Sequence, residues 1–225
     1  MDGIVNLLKP PGMTSFDAVA FLRRVTGERK IGHAGTLDPA AAGVLVLCMG
    51  RATKMVEQLM AGEKQYYAGI TFGTATDTAD ADGNVIQNNG RIPDEIEIQN
   101  NMQAFVGEIQ QTPPQYSAVK IHGKPAYAHA RAGREVELKP RTVNIKQWHY
   151  LWREKDGIMT RVDCGKGVYV RSLAVDLAAA MGTYAHLSWL LRTRVGEFTI
   201  ENALTCERIL QLQQEGKLDE CMTLI

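Results

Sequence analysis

Short apolar runs separated by polar, glycine-punctuated stretches make up this chain, and each run can be assigned from its period. Residues 4–8 predict a strand, closed by the turn Lys9-Pro10-Pro11-Gly12. Thr14 with Asp17 three residues on forms a capping box, and Gly27 marks a stop. A helix is predicted between them, with Phe16, Val19, Ala20 and Leu22 on its buried side. Residues 44–49 are continuously apolar and predict a fully buried strand. Residues 52–61 predict a helix with Met55, Val56 and Leu59 inward and Gly62 at its end. Residues 64–72 predict a strand, 76–83 (T-D-T-A-D-A-D-G) a polar turn, and 85–87 a second strand. Pro93 opens a helix to about residue 106, where Gly107 closes it, and the paired prolines within 111–114 exclude regular structure there. A basic, glycine-punctuated excursion over 116–143 carries one short helix near 125–131; so long an excursion is more often a functional loop than filler. Residues 143–152 and 158–164 alternate and predict paired strands around Lys155-Asp156-Gly157. A helix over 168–181 ends at Gly182, with Leu173, Val175, Leu177 and Ala178 available for packing. A compact apolar piece at 185–191, a brief strand at 198–200 and an amphipathic helix at 206–214 complete the chain. Strand pairs mixed with helices, without repeat or linker, predict an α+β domain around a mostly antiparallel sheet.

Composition adds little to this. Hydrophobic content of 45% and charged content of 22% are those of an ordinary globular protein, and the formal charge is zero. The distribution of charge is more informative. Lys120, Lys124, Arg131, Arg134, Lys139, Arg141 and Lys146 face only Glu135 and Glu137 across residues 115–150, whereas residues 62–110 hold eight acids against Lys64 and Arg91. A basic surface on one segment suits phosphate contacts; a solvated basic loop accounts for the charges equally well. Cys48, Cys164, Cys206 and Cys221 are widely spaced, which argues against a zinc ribbon and predicts free thiols in a reducing compartment. No H-x₃₋₅-H spacing accompanies them, so no metal is expected. No run approaches a membrane span, and Met1 leads directly into a strand rather than a targeting segment.

Familiar catalytic loops are missing: there is no G-x-x-x-x-G-K-[ST], no G-x-G-x-x-G after a strand and no G-x-S-x-G. The acidic turn imitates a calcium loop only in part. With Gly83 at loop position six, positions one and twelve fall on Thr78 and Asn89 instead of acids. Attention therefore falls on G-H-A-G-T-L-D-P-A-A-A-G over residues 32–43. Pro39 pushes Asp38 out of the helical region and holds it in one extended pose, while Gly32, Gly35 and Gly43 allow tight bends or close approach. Taken alone, these residues favour a helix start with Asp38 as N-cap and Pro39 at the first helical position.

The same residues resemble a signature, G-[TS]-L-D-P followed by small residues and glycine. It belongs to the TruB family, the bacterial synthases that make pseudouridine 55 in the T loop of tRNA. The opening Gly3-Ile4-Val5-Asn6-Leu7-Leu8-Lys9-Pro10-Pro11-Gly12-Met13-Thr14-Ser15 is similar to that family's N-terminus. Lys64-Gln65-Tyr66 resembles its K-x-Y strand, Lys166-Gly167-Val168-Tyr169-Val170-Arg171 its K-G-x-Y-[IV]-R motif, and Leu187-Ser188-Trp189-Leu190-Leu191-Arg192 the segment with an apolar pocket residue.

The resemblance implies a pseudouridine-synthase fold: one catalytic domain over residues 1–225, with an inserted basic thumb at about 112–142 that closes over an RNA stem-loop. It implies a cofactor-free isomerisation in which Asp38 is catalytic, with Arg171 pairing with it and holding it ionised and oriented. Tyr66 would stack on the uracil, Tyr169 and Leu190 would shape the pocket, and His33 would fill the space left by a flipped base. Lys120, Lys124, Arg131, Arg134 and Arg141 would contact the RNA backbone. The expected partner is the tRNA T-arm, bound by a cytoplasmic monomer. Many members of the family carry a further C-terminal RNA-binding domain of the PUA type, and this sequence stops before it. Without the resemblance, each tyrosine is an ordinary half-buried aromatic and Arg171 a weak ion pair. The alternative function is a non-catalytic tRNA-binding or RNA-folding module of the same fold.

Overall fold

The computed structural model describes residues 1–121 and 123–224. In chain order, the elements begin with β1 (Gly3–Lys9), α1 (Ser15–Thr26), β2 (Ile31–His33) and β3 (Ala42–Met49). A short 3-10 helix (Gly50–Met55) then leads into α2 (Val56–Ala61), β4 (Lys64–Phe72), β5 (Ala75–Thr76), β6 (Val85–Gln87) and α3 (Glu95–Gln103). Next come β7 (Gly107–Gln111), β8 (Lys120–Ile121), β9 (Lys124–Pro125), α4 (Ala126–Ala130), β10 (Arg141–Arg153) and β11 (Gly157–Cys164). The chain closes with α5 (Val170–Ala180), β12 (Ala185–Val195), β13 (Phe198–Thr199), α6 (Cys206–Gln214) and β14 (Thr223–Leu224). These fall into two compact units, residues 1–66 with 191–225 and residues 67–190, the divisions lying inside β4 and β12.

The first unit is built on β3. Its alternate side chains enter two different apolar clusters, Leu45, Leu47 and Met49 on one face and Val44, Val46 and Cys48 on the other. A strand covered on both faces reads as a continuous apolar run, which is why its sequence shows no alternation. Around it the strands run β14-β1-β3-β12, with β1 antiparallel to β3 from Gly3↔Met49 to Lys9↔Gly43. The C-terminal part of β12 is parallel to β3 at Leu191↔Ala42 and Arg192↔Gly43. The first face is closed by α1 and α6 through Leu22, Val25, Ile209 and Leu212. Full burial of a leucine such as Leu22 or Leu45 stabilises the fold by about 1.5–3 kcal/mol.

Helix α1 starts and stops where its caps dictate. Thr14 Oγ1 accepts from the Asp17 N–H at 3.0 Å, and Asp17 Oδ2 accepts from the Thr14 N–H at 3.0 Å. Gly27 closes the helix in the left-handed region at φ 71°. Its buried face is Ala18, Val19, Phe21, Leu22 and Val25, so the sequence-predicted Phe16 and Ala20 are corrected: Phe16 is 68% exposed. The face is fixed by packing on β3, and it lies about one residue round the helix from the predicted stripe. Thr14→Ala is expected to lower stability by about 1 kcal/mol in urea unfolding, with no change in slope.

In the second unit the strand order is β12-β4-β11-β10-β7. β10 and β11 form a long antiparallel pair interrupted by bulges, and β7 adds to the far side of β10 with Val143 opposite Ile109. Trp148 fixes the packing of this layer: its indole N–H donates to Thr160 Oγ1 at 3.0 Å, and its ring meets Phe105 edge-on at 5.8 Å. Helix α3 is capped by Asp94, whose carboxylate accepts from the Glu97 N–H. It ends three residues earlier than the sequence predicts. The basic excursion contains the β8–β9 hairpin and the single short helix α4.

Candidate active site

The first unit holds Asp38, His33 and Tyr66. Asp38 lies half-buried in the segment between β2 and β3. The helix start that its neighbours favour does not form, because residues 43–49 pair as strand with β1 and Ala42 pairs with Leu191 of β12. Each of five consecutive carbonyls in this segment accepts a hydrogen bond. Gly35 O and Thr36 O accept from the Arg192 guanidinium, each at 3.2 Å. Leu37 O accepts from Ser15 Oγ at 3.0 Å, and the Leu37 N–H donates back to the same oxygen at 2.9 Å. Asp38 O accepts from the Ala41 N–H. Pro39 O accepts from the Gly12 N–H at 2.8 Å and from Lys9 Nζ at 3.2 Å. A loop so fully satisfied holds the backbone that carries Asp38 in one place.

Two cations buried in this region, Lys9 at 0% and Arg192 at 1% exposure, contribute to that net. Lys9 Nζ also donates to Pro10 O and Met13 O at 2.8 and 2.7 Å. Burial, reinforced by the Arg192 charge and opposed by that of Asp38, pushes the Lys9 ammonium down to about 8. His33, the last residue of β2 and opposite Leu47, is half-buried; burial and the Arg192 cation hold its imidazole below the usual histidine range. Tyr66 sits in β4 at 8% exposure. Its neighbour Gln65 fixes the strand by accepting from Thr193 Oγ1 at 2.9 Å.

The second unit holds Tyr169, Arg171 and Leu190. Tyr169 precedes the first residue of α5, and its backbone is gripped from both sides by the buried Gln111. The Tyr169 N–H donates to Gln111 Oε1 at 2.8 Å, and Gln111 Nε2 donates to Tyr169 O at 3.1 Å. The Arg141 guanidinium lies 5.0 Å from the centre of the Tyr169 ring and donates to Gly167 O. Arg171, 4% exposed, donates to Thr78 O at 3.0 Å and Tyr116 O at 2.9 Å, and pairs with Asp80 at 3.5 Å. The acidic turn read from sequence thus supplies the carboxylate that seats Arg171. Leu190 is buried in β12. Lys120, Lys124, Arg131 and Arg134 are exposed along the basic excursion, with Arg131 over the Tyr127 ring at 5.4 Å.

Sequence reasoning missed Lys9, Ser15, Gln111 and Arg192. Nothing local marks them as buried: Lys9 reads as part of a turn, and Arg192 only as the residue that follows an apolar piece. Among the described residues, no group of three or more His, Cys, Asp or Glu side chains is arranged to hold a metal ion, and no helix is long and apolar enough to cross a membrane.

Comparison with known proteins bears on the fold and the family. The profile of the TruB family pseudouridylate synthase N-terminal domain matches residues 23–170, and that of the tRNA pseudouridylate synthase B C-terminal domain matches residues 171–223. tRNA pseudouridine synthase B of Caldanaerobacter subterraneus subsp. tengcongensis is 45% identical over 97% of this chain and 76% of its own. That of Symbiobacterium thermophilum is 47% identical over 93% and 71%. Among solved structures, a Cbf5-Nop10-Gar1 complex gives a TM-score of 0.77 at 30% identity, covering 99% of this chain and 60% of that one. An H/ACA RNP bound to a substrate RNA containing 2′-deoxyuridine gives 0.74 at 27% identity over 99% and 59%. The chain therefore spans about three-fifths of those two structural relatives. Its fold is the pseudouridine-synthase fold, and the protein is an enzyme of that class. Within the class, the chain belongs to the TruB family of pseudouridylate synthases.

Proposed function

We propose that this enzyme converts uridine to pseudouridine at position 55 in the T loop of tRNA, with Asp38 as the catalytic residue. Relatives at 45–47% identity carry tRNA in their names, which supports the substrate. The observation that carries the chemistry is the Asp38 segment, in which the carbonyls of residues 35–39 are all held. The reaction is an isomerisation: the bond from ribose C1′ to N1 breaks, a bond from C1′ to C5 forms, and the C5 proton is lost while N1 gains one. Oxidation state does not change overall, so the stoichiometry calls for no cofactor. A carboxylate can start it by attacking the base, by attacking the ribose or by removing a ribose proton, and each route needs that group ionised and fixed.

The uridine must leave its stack to be reached. His33 takes the space it vacates, Tyr66 stacks on the uracil, and Tyr169, Arg171 and Leu190 keep the roles that the resemblance gives them. Lys120, Lys124, Arg131 and Arg134 meet the RNA backbone, while Arg141 braces Tyr169 as well. The enzyme acts as a cytoplasmic monomer. The deciding experiment maps pseudouridine by nucleotide in unmodified full-length tRNA. One product at position 55 is expected; product elsewhere, or none, overturns the assignment. Charge reversal of Lys124 and Arg131 together is expected to weaken stem-loop binding and to reduce the slope of log affinity against log salt by about 2. An unchanged slope would remove the basic excursion from the interface.

A further inference from the structure

We propose that Arg192 is a positioning residue for catalysis, locking the Asp38 segment at both ends through three carbonyls. The inference rests on the reading of Asp38 as the catalytic carboxylate. Arg192 Nε donates to Val44 O at 2.8 Å, Nη1 to Thr36 O and Nη2 to Gly35 O. The acceptors bracket Asp38: two lie just before it, and the third lies in β3, where the segment ends. One planar group thereby fixes the separation between entry and exit. Its own position is set by the backbone, because Arg192 pairs with Gly43 in the parallel ladder, so close that a Cβ on Gly43 would lie 2.1 Å from the Arg192 carbonyl oxygen.

A guanidinium at 1% exposure is costly to bury. Its described hydrogen bonds all go to loop and strand carbonyls. Such an expense is out of proportion to closing one loop, which a hydrophobic side chain and a turn could do. It is in proportion to holding a reacting group, where a displacement of about 1 Å can lower a rate by about 100-fold. Lysine in this place retains the charge, but a single ammonium cannot reproduce the fork that reaches residues 35, 36 and 44 together.

The test is R192K, with R192Q beside it, measured for single-turnover conversion of a T-arm stem-loop, for stem-loop affinity and for folding by circular dichroism. Positioning predicts a folded R192K whose conversion rate falls by about 100-fold while affinity stays within about threefold, with R192Q slower again. Conversion by R192K within threefold of wild type would overturn the proposal. So would a loss that follows affinity alone, since that is what a merely structural role produces. D38N serves as the reference: if it converts the stem-loop as wild type does, the Asp38 reading itself is what has failed.

Discussion

Asp38→Asn should bind the T-arm stem-loop as wild type does and convert it at least about 10⁴-fold more slowly. Asparagine keeps the size and the extended pose that Pro39 imposes on residue 38. The six hydrogen bonds to the five carbonyls around it are accepted by backbone oxygens, so the substitution leaves them in place. What is lost is the negative charge and its nucleophilicity, which all three chemical routes require. Binding measured alongside conversion separates the readings. Intact binding without conversion in D38N supports catalysis by the carboxylate. Equal conversion by both proteins removes Asp38 from the mechanism, and binding without conversion by wild type would return the alternative of a non-catalytic module.

Gly43→Ala should be the most damaging small substitution in the first unit. A Cβ there would lie 2.1 Å from the Arg192 carbonyl oxygen and 2.7 Å from its nitrogen, at a backbone φ of 119°. Backbone atoms of a paired strand cannot swing aside as a side-chain tip can, so β12 would have to separate from β3. We expect a loss of about 4 kcal/mol or more, a large part of the stability of an ordinary domain. Gly27→Ala supplies the control. Gly27 also has positive φ, at 71°, but a Cβ there meets nothing within 4 Å. Its cost should be the conformational one alone, about 1 kcal/mol. Similar urea midpoints for the two variants would contradict the close approach at Gly43.

The elements legible from sequence are those whose causes are local. Thr14, Asp17 and Gly27 delimit α1 because a cap is a matter of three or four residues. The β10–β11 pair was legible from alternation and the turn at Lys155-Asp156-Gly157. Strand β7 was missed, and Gln111, expected to lie outside regular structure beside the prolines, is its last residue: Ile109 is the one apolar residue of the strand, and the partner strand begins thirty residues after it ends. The segment around Asp38 was legible in its signature but not in its backbone, since Asp-Pro-Ala-Ala also fits a helix start. Distant strand pairing decided between the two. Lys9 and Arg192 were not legible at all as loop holders: whether a cation is buried depends on which carbonyls the fold brings to it. The turn over 76–83 reads from sequence as a rigid acidic turn and not a calcium loop, but only the fold shows that one of its acids, Asp80, seats Arg171.

Arg192 also bears on how the protein is made. Its guanidinium reaches back 148 residues to Val44 and 157 to Gly35. At ribosomal rates of about 5–20 residues per second, the emerging chain waits on the order of 10 seconds between exposing the Asp38 segment and receiving the group that closes it. Through that interval β3 has β1 and β2 as neighbours but lacks β12, and the Gly35, Thr36 and Val44 carbonyls lack the guanidinium that holds them in the finished fold. A nascent polypeptide of 190 residues would therefore carry Asp38 and its segment without the arginine that reaches three of the carbonyls there. If Arg192 has the positioning role proposed for it, the Asp38 segment is completed only in the last part of synthesis, after residue 192 has been added and as α6 closes the face of β3.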